Sequence, residues 1–142
     1  MIKDKIIETL EINFQRADHY ISEIRSYQIN LKTFDHPEKV KTIDGFIYRF
    51  TKIQDIMSEK LFPAYLMEVQ EYRQSTPLVD VFNRLERLGV MESAEEWKRF
   101  RKLRNNLTHE YPDSQIKIIE GINESFGAYE TMQEIFNKIK SS

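Results

Sequence analysis

The stretch RKLRNNLTHEYP, residues 101 to 112, gathers side chains that can act on a phosphodiester. It holds three basic residues, two asparagines, a threonine and one of only three histidines in the chain. Histidine, with an ordinary pKa near 6.5, can accept or donate a proton at neutral pH. Arginine presents a planar, permanently charged fork that matches phosphate oxygens. Cleavage of RNA without a metal ion requires a base that activates the ribose 2′-hydroxyl and a cation that stabilises the phosphate. His109 and Arg104 supply these two groups.

Apolar spacing predicts that these residues lie at the end of an amphipathic helix. On a wheel of about 100° per residue, one face carries five apolar or aromatic residues, Trp97, Phe100, Leu103, Leu107 and Tyr111. Arg104 falls inside this stripe, where a charged side chain rarely stays without a partner. Two interpretations follow: Arg104 is held for a phosphate, or it forms an ion pair with a core carboxylate or a helix end.

The helical geometry also limits how Arg104 and His109 can cooperate. In a regular α-helix, residues five apart are separated by a rotation of about 140°, which places these two Cβ atoms roughly 10 Å apart. One phosphate can hardly be gripped by both at close range. The spacing therefore favours pairing across a two-fold axis, or a helix end that is distorted by Pro112.

The remaining sequence predicts the helices that must position this segment. Apolar residues recur every three or four positions from Ile2 to about Ile29, and a second such stripe starts at Pro37, a residue suited to the first position of a helix. We expect Pro63 to bend or end that second helix. The segment AYLMEVQEYRQ would then continue as a kinked extension.

Capping signals divide the second half of the chain. Thr76 followed by Pro77 predicts an N-cap and first helical residue, with Gly89 ending that short helix. Ser93 with Glu96 resembles a capping box and opens the helix that runs towards Tyr111, and Pro112 closes it. The last helix is expected from about Ser114, with apolar positions that start at Ile116 and end at Ile139. The fold prediction is an all-α, antiparallel up-and-down bundle of five or six helices in a single domain, residues 1–142.

Composition narrows the classes of function. The chain has 142 residues, a formal net charge of −2 and no cysteine, so its overall charge does not attract nucleic acid, and thiol nucleophiles and disulfides are excluded. Cysteine-free composition is typical of the reducing cytoplasm, where we expect the protein to act. The N-terminal segment is interrupted by charges, and no stretch approaches the roughly 18 apolar residues of a membrane span.

Other catalytic motifs fit poorly. HEYPD begins like the His-Glu-x-x-His of zinc proteases, but Asp113 takes the place of the second histidine. None of the glycines belongs to a phosphate-cradling loop, and the Gly-x-Ser-x-Gly motif of serine esterases does not occur. We therefore expect neither a metal site nor a cofactor, and any nucleotide chemistry would need a partner protein.

The segment RNNLTHEY resembles the Arg-x4-His-x-Tyr signature of the HepT-like HEPN toxins, small helical proteins encoded beside a minimal nucleotidyltransferase of the MntA kind. The resemblance implies a homodimeric, metal-independent endoribonuclease in which Arg104 and His109 from two subunits face one groove. It also implies that Tyr111 is the acceptor for AMP groups that the nucleotidyltransferase antitoxin adds, which silences the toxin. Similar proteins are described as nucleotidyltransferase substrate-binding subunits.

On this interpretation, neighbouring polar residues would contact RNA. The expected contacts are Lys98, Arg101, Lys102, Asn105 and Thr108, with the bases holding phosphates irrespective of sequence. The alternative is that Lys98, Arg99, Arg101 and Lys102 form a solvated face. Two further hypotheses stay open: a non-catalytic partner subunit of the nucleotidyltransferase, and a helical scaffold with Arg104 in a structural ion pair.

Overall fold

All regular structure in the computed structural model, which describes residues 2–71, 73, 75–110 and 113–142, is helical. The elements in chain order are α1 (Ile2–Ser26), a 3-10 turn (Leu31–Asp35), α2 (Pro37–Ile56), a first π-turn (Met57–Leu61), α3 (Phe62–Glu68), α4 (Leu78–Arg87), α5 (Ala94–Asn105), a second π-turn (Asn106–Glu110) and α6 (Gln115–Lys140). Each π-turn continues the helix before it, and α3 continues the first π-turn. The described residues therefore form five helical rods. The prediction of an all-α bundle is confirmed.

The long helix α1 packs against both α2 and α6 and runs antiparallel to both. Four polar contacts show the direction, with α1 residues in ascending order: Glu11 with Lys140, Asn13 with Arg49, Asp18 with Tyr129 and Glu23 with Thr42. Partners in α2 and α6 both descend in number as α1 ascends. α2 and α6 therefore run parallel to each other, and they also contact directly, since the ring centres of Phe46 and Phe126 are 5.5 Å apart.

Aromatic side chains fill two parts of one continuous core. The first part lies between α1, α2 and α6 and contains Phe14, Phe46, Tyr129 and Phe136. The second lies between α3, α4 and α5 and contains Phe62, Phe82 and Trp97. Together they fix α5 against the rods that surround it.

Most of the predicted start and stop signals are confirmed. Pro37 is the first residue of α2, and the hydroxyls of Ser93 and Ser114 accept hydrogen bonds from the third residues of α5 and α6. Gly89 has φ +76° and closes α4, while the Val90 N–H donates to the Leu85 carbonyl at 3.0 Å. This is the Schellman end that glycine favours.

The sequence predicted that Pro63 would bend or end α2, and the helix continues past this residue through a wider turn. Pro63 does not end the helix, because the first π-turn precedes it and the Phe62 N–H donates to the Met57 carbonyl five residues back. That wider turn absorbs the missing N–H of proline. The expected extension ends at Glu68, since Gln70 adopts φ 62°, and Tyr72 and Gln74 lie outside the described residues.

Two smaller predictions are wrong. Thr76 does not cap α4, because its hydroxyl donates to the Arg73 carbonyl at 2.7 Å and Pro77 takes the cap position. Ile116 is 58% exposed, so it is not a core position. It lies in the first turn of α6, where Ile118 packs against the core instead.

Candidate functional site

The motif segment lies along α2, which runs antiparallel to α5. Near the start of α5, the Trp97 indole N–H donates to Ser58 Oγ at 3.0 Å, and at its end Arg104 reaches back to Asp55. Trp97 is 1% exposed, which agrees with its prediction as a core residue. The position of Arg104 over α2 is therefore fixed from one side by a buried, hydrogen-bonded indole.

Arg104 is half-buried, and its guanidinium has two polar side-chain partners among the described residues. Its Nη2 lies 2.8 Å from Asp55 Oδ2, and its Nη1 donates to Asn105 Oδ1 at 2.8 Å. The side chains of Arg104 and Asp55 are 21% and 38% exposed. Arg104 Nε is buried and has no hydrogen-bond partner among the described residues. The ion-pair interpretation thus gains a specific partner, and the guanidinium keeps unused N–H donors.

The second π-turn carries His109 and changes the geometry expected of a regular helix. Its i→i+5 bonding closes a wider turn than an α-helix, so each residue rotates by less than about 100° and the offset between Arg104 and His109 shrinks. The Thr108 hydroxyl donates to the Arg104 carbonyl at 3.0 Å, which ties the turn to α5. His109 is exposed. The predicted AMP acceptor Tyr111 and the predicted helix stop Pro112 lie outside the described residues.

The residues expected to contact RNA do not all share one surface. Lys98 pairs with Glu95 at 3.0 Å, and the Arg101 guanidinium lies 5.7 Å from the centre of the Phe82 ring on α4. Lys102 is exposed. Of this set, Asn105 and Thr108 contact Arg104 itself. The structure therefore brings these two to the motif and directs Lys98 and Arg101 towards other neighbours.

A groove of about 450 Å³ opens beside the second π-turn, between α2 and α6. Its lining is mainly apolar and includes Val40, Ile43, Ile47, Leu107 and Ile118. The polar lining residues are Asp44, Tyr48, Thr108 and Gln115. We call this cavity the α2 groove. It adjoins the motif because Leu107 and Thr108 directly precede His109.

Tyr48, which lines the α2 groove, is an exposed aromatic residue with two cations near its ring. Tyr48 is 53% exposed, and the Arg49 Cζ and Lys52 Nζ atoms lie 5.0 Å and 5.9 Å from the centre of its ring. Burial raises the pKa of the Asp44 carboxyl above its ordinary range. Sequence reasoning missed these residues, although an aromatic residue with bases on the polar side of a helix, as in YRFTK, was a readable signal.

Neither a cluster of metal ligands nor a membrane-spanning helix occurs among the described residues. No group of three acidic or histidine side chains in these ranges is close enough together to hold a metal ion. None of the helices in the same ranges is both long and apolar enough to cross a lipid bilayer.

A scan against protein-family models finds no match to this chain, and a search of curated proteins finds none either. The interpretation of the site therefore depends on the motif residues and on the geometry around them.

Proposed function

We propose that this chain is the toxin of a HEPN-type pair with a minimal nucleotidyltransferase, acting in the cytoplasm as a metal-independent endoribonuclease. Its fold would be of the HEPN-like kind, and its catalytic residues Arg104 and His109. The observation that carries the proposal is their placement: a half-buried arginine with unused donors lies at the end of α5, and an exposed histidine follows in a π-helical turn. Such turns occur frequently at functional sites.

The chemistry assigns a separate task to each side chain. His109 takes the proton of a ribose 2′-hydroxyl, and the oxygen attacks the adjacent phosphorus. The bond from phosphorus to the 5′-oxygen then breaks, which leaves a 2′,3′-cyclic phosphate and a 5′-hydroxyl after protonation of the leaving oxygen. Arg104 stabilises the charge on the pentacoordinate phosphate.

Arg104 can perform this task without leaving Asp55. A guanidinium has five N–H donors, and the described contacts of Arg104 occupy one at Nη1 and one at Nη2. The Asp55 carboxylate holds the planar group in one orientation, and the second N–H of Nη1 and that of Nη2 can donate to phosphate oxygens, whereas Nε is buried. Asp55 is thus a positioning residue on this proposal.

A homodimer supplies the second proton-transfer group. In-line displacement needs a base on one side of the phosphorus and an acid on the other, and each chain contributes one motif histidine. Two copies related by a two-fold axis bring two such histidines to one groove. The same assembly agrees with the family that the motif resembles.

Regulation by a partner enzyme follows from the resemblance. Tyr111, two residues after His109, would accept AMP from an MntA-like nucleotidyltransferase. A phosphate with its nucleoside on Tyr111 would add negative charge and bulk close in sequence to His109, and so repel the anionic substrate. Inhibition would then need no change of fold.

A second candidate function is a non-catalytic substrate-binding or partner subunit of the nucleotidyltransferase. The observation that favours it is the Arg104–Asp55 ion pair, because the guanidinium already has a carboxylate counter-ion at 2.8 Å. On this alternative, Tyr111 and a docking surface are sufficient, and the chain cleaves nothing.

The test is incubation of total RNA with purified protein in EDTA. We expect wild type to cleave RNA and Arg104→Ala and His109→Ala to lose roughly 10²-fold or more of the rate. The matched control is His19→Ala, since His19 is also exposed and lies on α1 with Glu23 as its ion-pair partner at 3.2 Å. Intact RNA with folded wild type would favour the partner-subunit alternative, and undiminished cleavage by His109→Ala would exclude this site.

A further inference from the structure

We propose that the α2 groove binds a guanine base of the RNA, with Asp44 as the residue that recognises the base edge and Tyr48 as the stacking platform. This inference rests on the proposed function in taking RNA as the ligand. It adds a base preference and a set of residues that the motif does not contain.

The position of the groove suits a nucleotide next to the cleaved bond. Leu107 and Thr108 form part of its wall, and His109 is the next residue in the chain. The Thr108 hydroxyl is bonded to the Arg104 carbonyl at 3.0 Å, so this wall and the arginine backbone are directly connected. A base that is unstacked from single-stranded RNA would enter the groove while its phosphate stays near the motif.

The lining matches a flat heterocycle with a polar edge. Most of the wall is aliphatic, and the Tyr48 ring on one side is 53% exposed. A base stacked on an exposed aromatic ring gains affinity irrespective of its identity. Tyr48 therefore accounts for general binding of a base, and the choice among bases needs a polar group.

Asp44 provides that choice. Asp44 is an exposed residue that lines the groove, its carboxylate has no hydrogen-bond or ion-pair partner among the described residues, and partial desolvation at the groove wall raises its pKa. Two adjacent N–H donors on one base edge would satisfy both carboxylate oxygens. Guanine presents such a pair, N1–H and the N2 amino group, whereas adenine, cytosine and uracil each present a single donor group on that edge.

Two cations beside the Tyr48 ring, outside the lining of the groove itself, favour a nucleotide over an apolar partner. Arg49 and Lys52 lie within 6 Å of the Tyr48 ring centre, at 5.0 Å and 5.9 Å. Arg49 Nη1 donates to Asn13 Oδ1 at 3.0 Å, which orients its guanidinium beside the ring. Two cations next to a stacking platform suit the phosphates on either side of a bound base.

The test measures binding without cleavage. Fluorescein-labelled UUGUU and UUAUU with 2′-O-methyl riboses lack the attacking hydroxyl, so fluorescence anisotropy reports affinity alone. We expect wild type to bind UUGUU roughly tenfold more tightly than UUAUU, as a bidentate contact to a base allows. Asp44→Asn should lose this preference and keep its affinity for UUAUU. The matched control Asp80→Asn, which removes an exposed carboxylate on α4, should retain the preference.

Three results would overturn the inference: equal affinity of wild type for both RNAs, no affinity for either, or a preference that survives in Asp44→Asn. A fourth result that would overturn the inference comes from sedimentation. If Tyr48→Ala converts a dimer to a monomer, a second copy of the chain covers the groove. A guanine preference in a protein that leaves total RNA intact would support the groove and reject the nuclease. Cleavage without base preference would reject the groove alone.

Discussion

The two π-turns of this chain have the same backbone irregularity in different surroundings. In the first, Met57, Ser58 and Leu61 are buried, and Ser58 accepts the Trp97 indole N–H. In the second, Leu107 is buried, but Thr108 bonds only to its own helix and His109 is exposed. The first turn therefore connects two rods, whereas the second presents polar groups to the solvent.

The two turns share a sequence feature, so the difference between them lies in their surroundings. Pro63 follows the first π-turn by two residues, and its missing N–H explains why the helix widens there. In the sequence, Pro112 follows the second π-turn by the same two residues, so a proline accompanies both turns. A wide turn retained at a polar helix end is what a catalytic site needs when two side chains five residues apart must act together. Four measurements test how the two turns and the residues around them contribute to stability.

Shortening a buried side chain of the first π-turn should lower the free energy of unfolding more than any other change considered. Leu61 is 0% exposed, so Leu61→Ala leaves a cavity and should lower the free energy of unfolding by about 2–5 kcal/mol. Urea denaturation followed by circular dichroism measures this change. The control Leu31→Ala removes the same atoms from a residue that is 52% exposed, and it should cost less than about 0.5 kcal/mol. Equal losses would mean that the first π-turn is not part of the core.

The two hydroxyl residues of the π-turns give a direct comparison. Ser58→Ala leaves the buried Trp97 N–H without its acceptor, and we expect a loss of about 1–3 kcal/mol in the free energy of unfolding. Thr108→Ala removes only bonds to carbonyls of its own helix, and we expect a change of less than about 0.5 kcal/mol. A large loss for Thr108→Ala would assign a structural role to the second turn as well.

The Arg104–Asp55 pair should contribute little to stability. With side chains 21% and 38% exposed, the pair is partly solvated, so Asp55→Asn should cost up to about 1 kcal/mol, and less at high salt. Arg104→Ala should remain folded by circular dichroism. If Arg104→Ala unfolds the chain, the scaffold hypothesis explains the arginine better than catalysis does.

The smallest effect has the opposite sign and comes from the α2 groove. Since burial raises the pKa of Asp44, ionisation of this carboxyl disfavours the fold, and Asp44→Asn should slightly raise the melting temperature at neutral pH. The difference should vanish below the ordinary carboxyl range, where both side chains are neutral. It should grow as the pH rises through the ordinary and then the raised pKa. A melting temperature lowered by Asp44→Asn at pH 7 would indicate a structural carboxylate.

Local signals explain why much of the fold was predictable. Pro37, Ser93, Ser114 and Gly89 act within one turn of the chain, so their effects can be read from neighbouring residues. Thr76 failed as a cap because its hydroxyl bonds within the preceding loop. Whether a hydroxyl bonds forwards or backwards depends on the loop conformation, which spacing does not reveal.

The sequence indicated which residue types form the site, but it did not indicate which side chains they contact. Arg104 stood out because a charge interrupted an apolar stripe, but its partner Asp55 lies 49 residues away in the chain. The wheel assumed a constant rotation per residue, so it could not place His109 on a π-turn. Tyr48 and Asp44 join the site only because α2 packs against α5 and α6, a contact that no local pattern encodes.

The hydrogen bond between Trp97 and Ser58 also has an optical consequence. Trp97 is the only tryptophan of the chain, and its indole is buried where α5 crosses the first π-turn. Its fluorescence should therefore be emitted at short wavelength in the folded state and shift to the red when the two rods separate. A ligand that slides α5 along α2 would stretch the bond to Ser58 and change the emission. A ligand that binds only at the exposed end would leave the spectrum as it is, so one intrinsic fluorophore distinguishes movement of the motif helix from simple occupation of the site.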